Sequence, residues 1–290
     1  MPPSGPSSPS PSPSPSRSSA AAVVSALRAG GCVFAEDEAE LILATARTED
    51  EVSSMVDRRV AGLPLEQVLG WARFHGLRVV LEPGVFVPRR RTEFLVDQAL
   101  AQAPDARVVV DLCCGSGALG AALAAALDGA EVHAADIDPA AVRCARRNLA
   151  AFTGRAHQGD LYDALPAALR GRVGIVTANV PYVPTGELPL LPAEARDHEP
   201  RAALDGGPDG LDLLRRVAVG APEWLAPGGL LLSETSERQA PAAVRAFTDA
   251  GLTTRLAVSE ELSAHVVIGV RPQDPPGGGE GPAQASRTSR

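Results

Sequence analysis

Val108-Val109-Val110 runs directly into Asp111-Leu112-Cys113-Cys114-Gly115-Ser116-Gly117-Ala118-Leu119-Gly120, and the reading of this junction decides the fold. Three consecutive β-branched apolar residues suit a strand covered on both faces. An acid ends the strand, glycines follow, and residues 118–127 form an Ala-rich stretch expected to be a helix. Glycines there permit a tight turn and bring backbone N–H groups close to a ligand at the helix N-terminus. Downstream the alternation continues: a strand over 132–135, a helix over 140–151, a third strand before Gly159-Asp160, and a strand at 175–176. A helix over 211–221, a strand over 229–232 after Pro227-Gly228, a helix over 244–250 and a terminal strand over 266–270 complete it. Such alternation predicts an α/β fold with a mostly parallel, Rossmann-like sheet covered on both faces. Ligands in these sheets bind at the carboxyl ends of the strands.

Upstream of the junction the periodicity is helical. Val23, Val24 and Leu27 share one face, as do Ala39, Leu41, Ile42, Leu43 and Ala46, while Val52, Met55, Val56 and Val60 step by three and four. Residues 20–71 are therefore expected to be a small helical domain. Residues 77–81 and 85–87 are strand-like runs around Glu82-Pro83-Gly84, and 72–88 is expected to be a β-hairpin linker. Thr92-Glu93 reads as the cap and first turn of a helix to about residue 101, inside a catalytic domain spanning 89–271. The tails 1–19 and 272–290 are too poor in apolar residues to offset their ordering entropy and are expected to be disordered.

Composition narrows the function classes. With 290 residues and 45% apolar content the chain can bury a sizeable core. All 27 basic residues are Arg, and the formal net charge of -8 leaves no electrostatic footprint for a phosphate backbone. Nucleic acid is thereby disfavoured as the main partner. The four cysteines (Cys32, Cys113, Cys114, Cys144) have no zinc or disulfide spacing, and no metal ligand set is predicted. Cysteines so spaced are expected in a reduced cytoplasmic setting, and no apolar run reaches the length of a membrane span.

Two stretches carry the chemistry. Gly115, Gly117 and Gly120 satisfy G-x-G-x-x-G, with Asp136 at the end of the next strand, and read literally they form a dinucleotide site. Asp111 would face a pyrophosphate unfavourably, whereas it suits the cationic amino and sulfonium end of S-adenosylmethionine. Asp136 would accept from ribose hydroxyls and Asp160 from an adenine amine. Equally, Asp136 and Asp138 could cap the helix that starts at Pro139, and Asp160 could cap a turn. The second stretch, Asn179-Val180-Pro181-Tyr182, follows a buried strand. Its Asn offers a carbonyl acceptor, the Val180 carbonyl a second and Tyr182 a flat wall, together a slot for a planar amide or amine. Taken alone it also reads as an ordinary turn. Arg89-Arg90-Arg91 is either a solvated face or a docking patch for an acidic partner. The five histidines are scattered and read as structural.

Together, residues 111–120, Asp136, Asp160-Leu161 and Asn179-Val180-Pro181-Tyr182 resemble the protein glutamine methyltransferases of the HemK/PrmC type. Gly62-Leu63-Pro64-Leu65, Val87-Pro88-Arg89 with Thr92-Glu93, Glu199-Pro200, the run 203–211, and Gly228-Gly229 with Glu234 and Gln239 follow that family's order. The resemblance implies a class I methyltransferase fold and S-adenosylmethionine as cofactor. It implies methylation of a glutamine side-chain amide in a partner protein, such as a peptide chain release factor or ribosomal protein. By position it implies cofactor contacts from Asp111, Cys113, Cys114, Gly115, Ser116, Gly117, Asp136, Ile137, Asp160, Leu161 and Asn179, and an acceptor site from Asn179, Val180, Pro181 and Tyr182. Val180 stands where the family usually has Pro, as in a related subgroup, and one φ lock is lost. Two other readings stay open: methylation of an exocyclic amine on a nucleic-acid base, and an NAD-binding oxidoreductase.

Overall fold

The computed structural model describes residues 17–273. The expected tails fall mostly outside them, although Arg17, Ser18 and Ser19 already belong to the first helix. Helices α1 (Arg17–Ala29), α2 (Ala35–Thr45), α3 (Glu49–Val60) and α4 (Leu65–Leu69) form the N-terminal helical unit. Its own core gathers Val23, Leu27, Ala39, Ile42, Val56 and Leu69, while Val60, expected on the same face as Val56, stays 42% exposed. Thr48 caps α3 by accepting from the Glu51 N–H, and three acids in the first turn complement the helix dipole.

The hairpin lies earlier than expected. Strands β1 (Trp71–Phe74) and β2 (Leu77–Val80) pair antiparallel around His75-Gly76. Both turn residues have positive φ, 47° and 77°, which matches the twist of a two-residue hairpin connection. Residues 85–87 are not a strand. Val85 and Val87 instead bury their side chains in a small cluster with Leu81 and Cys144.

Helix α5 (Glu93–Gln102) leads into the main sheet. It contains β3 (Val108–Leu112), β4 (Glu131–Asp136), β5 (Arg155–Gln158), β6 (Val173–Ala178), β7 (Leu225–Thr235), β8 (Thr253–Ser259) and β9 (Ala264–Val270). Helices α6 (Ala118–Ala126), α7 (Pro139–Leu149), α8 (Ala193–His198), α9 (Asp212–Trp224) and α10 (Ala240–Asp249) connect them. The strand order is β5-β4-β3-β6-β7-β9-β8, parallel except for β9, which runs antiparallel to β7 and β8. Alternate residues of each strand feed opposite faces. Val109, Ile175 and Leu230 pack with α5, α6 and α7, while Val110, Val176 and Leu231 pack with α9 and α10. Burial on both sides is why these strands read as unbroken apolar runs.

Two strands differ from the sequence reading. Strand β8 was not expected, because its larger apolar residues Leu256 and Val258 face outward, 39% and 50% exposed, at the sheet edge. Strand β7 begins at Leu225 and carries Pro227-Gly228 inside it, where the pairing with β6 shifts register. A proline is tolerated at such an irregularity because no ladder N–H is required there.

Away from the strand ends, buried His133 on β4 hydrogen-bonds His157 on β5 through Nδ1 and Nε2 at 2.9 Å. Burial, then the charges of His133, Arg146 and Arg155, hold the His157 pKa below its ordinary value. A depressed His binds fewer protons folded than unfolded, so its stabilising contribution is present above about pH 6.5 and is lost as pH falls through the lowered value. Thermal melts between pH 7 and 5 should show this decline. In His157→Gln the decline should be shallower, and an unchanged slope would remove the pair from the explanation.

Candidate functional site

The carboxyl ends of β3, β4, β5 and β6 open into one cavity of about 710 Å³, within the usual range for small-ligand sites. Its floor is the loop between β3 and α6. Cys113, Gly115 and Gly117 all have positive φ (52°, 53° and 76°), and the Gly117 N–H closes the turn on the Cys114 carbonyl at 2.7 Å. A Cβ on Gly117 would lie 2.9 Å from the Ala145 Cβ, so only glycine lets α6 start this close to α7. Burial pushes the Cys113 and Cys114 thiols upward, which keeps both in the unreactive thiol form.

Asp136 lies in the wall as the sequence reading placed it. Its Oδ2 accepts from the Gly115 N–H and its Oδ1 from the Asp138 N–H, both at 2.9 Å, so one carboxylate sets the loop's shape. Asp138 is the helix cap, accepting from the Ala140 N–H at 2.8 Å. Ile137, 64% exposed, and Leu161 face the same cavity and offer flat apolar surfaces. Asp160 also lines it, but its carboxylate is paired with Arg216 at 2.7 Å.

Asp111 departs from the expectation. It is fully buried and does not line the cavity. Its Oδ2 accepts from the Gly120 N–H at 3.0 Å and its Oδ1 from the Thr177 hydroxyl at 3.1 Å. A side chain at the end of β3 can point inward as readily as out. Inside, it meets an otherwise unpartnered N–H of the first turn of α6. Burial raises its pKa to about 7 against the opposing effect of those two hydrogen bonds. Its place is that of a brace joining β3, β6 and α6 beneath the loop.

On the opposite wall are Asn179, Val180, Pro181 and Tyr182. The Asn179 carboxamide oxygen is buried and has no hydrogen-bond partner among the described residues, one of two such side-chain atoms there. Buried acceptors are ordinarily satisfied, so an orphan on a residue that lines a cavity points to a donor arriving from outside the chain. Tyr182 is held in place. Its hydroxyl receives a hydrogen bond from Arg91 and donates to Glu234 at 3.2 Å. Burial, followed by the Glu234 charge, pushes its pKa up to about 12, so the phenol stays protonated.

The sequence reading gave Arg89-Arg90-Arg91 no role inside the site. Arg89 pairs with the fully buried Glu199 side chain at 2.6 Å and Arg91 with Glu234 at 2.7 Å, so two of the three are clamps at the cavity wall. Arg90 is exposed. Thr92, expected as a helix cap, instead donates its hydroxyl to Glu234 at 2.6 Å. The only sequence signal for Glu199, Glu234 and Gln239 was their place in the resembled pattern. The loop residues 202–205 wall the cavity from the far side.

A cavity with hydrogen-bonding carboxylates, apolar flanks and a glycine loop at a helix N-terminus fits a nucleoside bearing a cationic tail. The Methyltransferase small domain family matches residues 76–187. A release factor glutamine methyltransferase of Geobacter sulfurreducens is 38% identical over 219 residues, covering 75% of this chain and 76% of that protein. A 4-amino-L-phenylalanine/4-methylamino-L-phenylalanine methyltransferase of Streptomyces pristinaespiralis is 40% identical over 191 residues, covering 63% of this chain and 65% of that protein. The solved structure of a methyltransferase from Pyrococcus furiosus shares the fold, with a TM-score of 0.53 at 15% identity over 76% of this chain and 99% of that one. These likenesses displace the dinucleotide reading. The chain belongs to the S-adenosylmethionine-dependent protein-glutamine methyltransferases of the HemK/PrmC type.

Proposed function

We propose that the chain methylates the side-chain amide nitrogen of a glutamine presented by a peptide chain release factor, acting in the cytoplasm. The observation that carries this reading is the buried, unpartnered Oδ1 of Asn179 in the cavity wall. An amide nitrogen is a poor nucleophile because its lone pair is delocalised into the carbonyl. Asn179 Oδ1 and the Val180 carbonyl accept its two N–H bonds, which orients the lone pair and meets the positive charge that develops on nitrogen. Tyr182, kept neutral and clamped, packs against the plane of the amide. When bound, S-adenosylmethionine supplies a sulfonium-activated methyl group. Ile137 and Leu161 would flank its adenine, Asp136 would take its ribose hydroxyls, and Cys113, Cys114, Gly115, Ser116 and Asn179 in the cavity wall would complete its contacts. Asn179, Val180 and Tyr182 act by positioning, and the proton that the nitrogen gives up after methyl transfer leaves to solvent.

A second reading is favoured by the relative named for 4-amino-L-phenylalanine. An aniline nitrogen, like an amide nitrogen, carries a planar conjugated NH2, and the same two acceptors suit it. Incubating the protein with methyl-labelled donor and a release factor, 4-amino-L-phenylalanine or nucleic acid separates the readings. Label on one release-factor glutamine, located by mass spectrometry, is the expected result. Label confined to the free amine or to nucleic acid would replace it.

A further inference from the structure

The end of β7 and the turn from it into α10 carry two buried polar residues that grip Tyr182 at opposite ends. Glu234, 3% exposed, receives its hydroxyl at 3.2 Å while also accepting from Arg91 Nε at 2.7 Å and from the Thr92 hydroxyl at 2.6 Å. Gln239, 6% exposed, donates through Nε2 to the Tyr182 carbonyl at 2.9 Å and to the Asp209 carbonyl at 2.8 Å. Its own Oε1 accepts from the Ser236 hydroxyl at 2.6 Å, so the amide orientation is set. The loop of residues 206–210 presses on the same turn: a Cβ on Gly206 would lie 2.6 Å from the Pro181 carbonyl, and one on Gly210 would overlap the Tyr182 carbonyl. Backbone bonds from Val183 N–H to the Leu204 carbonyl (3.0 Å) and from Gly206 N–H to the Val183 carbonyl (2.9 Å) tie the two together.

Val180 makes this bracing matter. A valine before Pro181 is confined to extended ψ, but its own φ lacks the ring constraint that a proline would supply. Rotation about the Val180 N–Cα bond can therefore turn Asn179 relative to the Val180 carbonyl unless the turn is held from outside. We infer that Gln239 and Glu234 are positioning residues of the acceptor slot, holding residues 179–182 in place from outside the turn. The inference rests on reading those residues as the slot.

Gln239→Leu keeps the side-chain bulk and removes both donors. The expected result is a fall in kcat of roughly 10- to 100-fold, with donor Kd from calorimetry within about twofold of wild type. Amide hydrogen exchange across residues 179–185 should quicken by about tenfold. Adding Val180→Pro should recover part of both losses, because the two restraints act on one turn. Equal effects of Gln239→Leu with and without Val180→Pro, or unaltered exchange, would overturn the inference and leave Gln239 a structural residue. If Gln239→Leu is recovered unfolded, Glu234→Gln, which preserves shape, is judged by the same rate, exchange and recovery criteria. If the wild-type protein labels no glutamine, the substrate reading fails by itself. The exchange data and their recovery by Val180→Pro then decide the positioning role alone.

Discussion

Asn179→Ala should lower methyl transfer by about 10²- to 10³-fold while donor affinity changes by no more than a few fold. The carboxamide oxygen is buried without a partner, so its removal leaves nothing in the protein newly unsatisfied. The fold should therefore tolerate the change, and thermal melting checks this. What disappears is one of two acceptors for the substrate N–H bonds, felt most where positive charge grows on nitrogen. Asn179→Asp is the sharper companion: it keeps an acceptor oxygen but adds a buried charge, and it should retain more transfer than alanine. Comparable weakening of donor binding and of transfer in Asn179→Ala would mean that Asn179 chiefly supports the cofactor.

Asp136→Ala should weaken donor binding by roughly 10- to 100-fold, measured by calorimetry. The carboxylate accepts from the Gly115 and Asp138 N–H groups, so its loss frees two amides at the cavity floor and lets the loop relax. Hydrogen bonds to a charged group contribute about 1.5–3 kcal/mol each, and about 1.4 kcal/mol is tenfold in Kd. Asp136→Asn separates the loop from the ligand. It retains one acceptor oxygen but not two, so it should fall between wild type and alanine. Wild-type Kd in Asp136→Ala would leave the carboxylate a loop brace only. The same substitution at Asp111 tests a different thing, since that carboxylate lies beneath the loop and outside the cavity wall. Its loss should lower melting temperature first and donor affinity only through the loop.

The amino-acid sequence by itself determined the parallel core and the glycine-rich turn at the end of β3. Val108-Val109-Val110, the glycine loop and α6 are adjacent in the chain, and their meaning rests on local propensity, on φ > 0 at glycine and on burial of both strand faces. The turn at residues 179–182 was legible for the same reason, as a polar, kinked stretch after a buried strand. What needed tertiary structure was every pairing across long separations. Glu234 lies 143 residues from Arg91 and 52 from Tyr182, and Glu199 lies 110 from Arg89. No local pattern encodes such partners, because they are set by which strand ends the sheet order brings together. The same reason turned Asp111 inward: its direction depended on the free N–H of Gly120 and the hydroxyl of Thr177, both supplied by neighbouring elements. Folding alone also left Asn179 Oδ1 buried without a partner, and a sequence cannot display an unmet acceptor in a hydrogen-bond network.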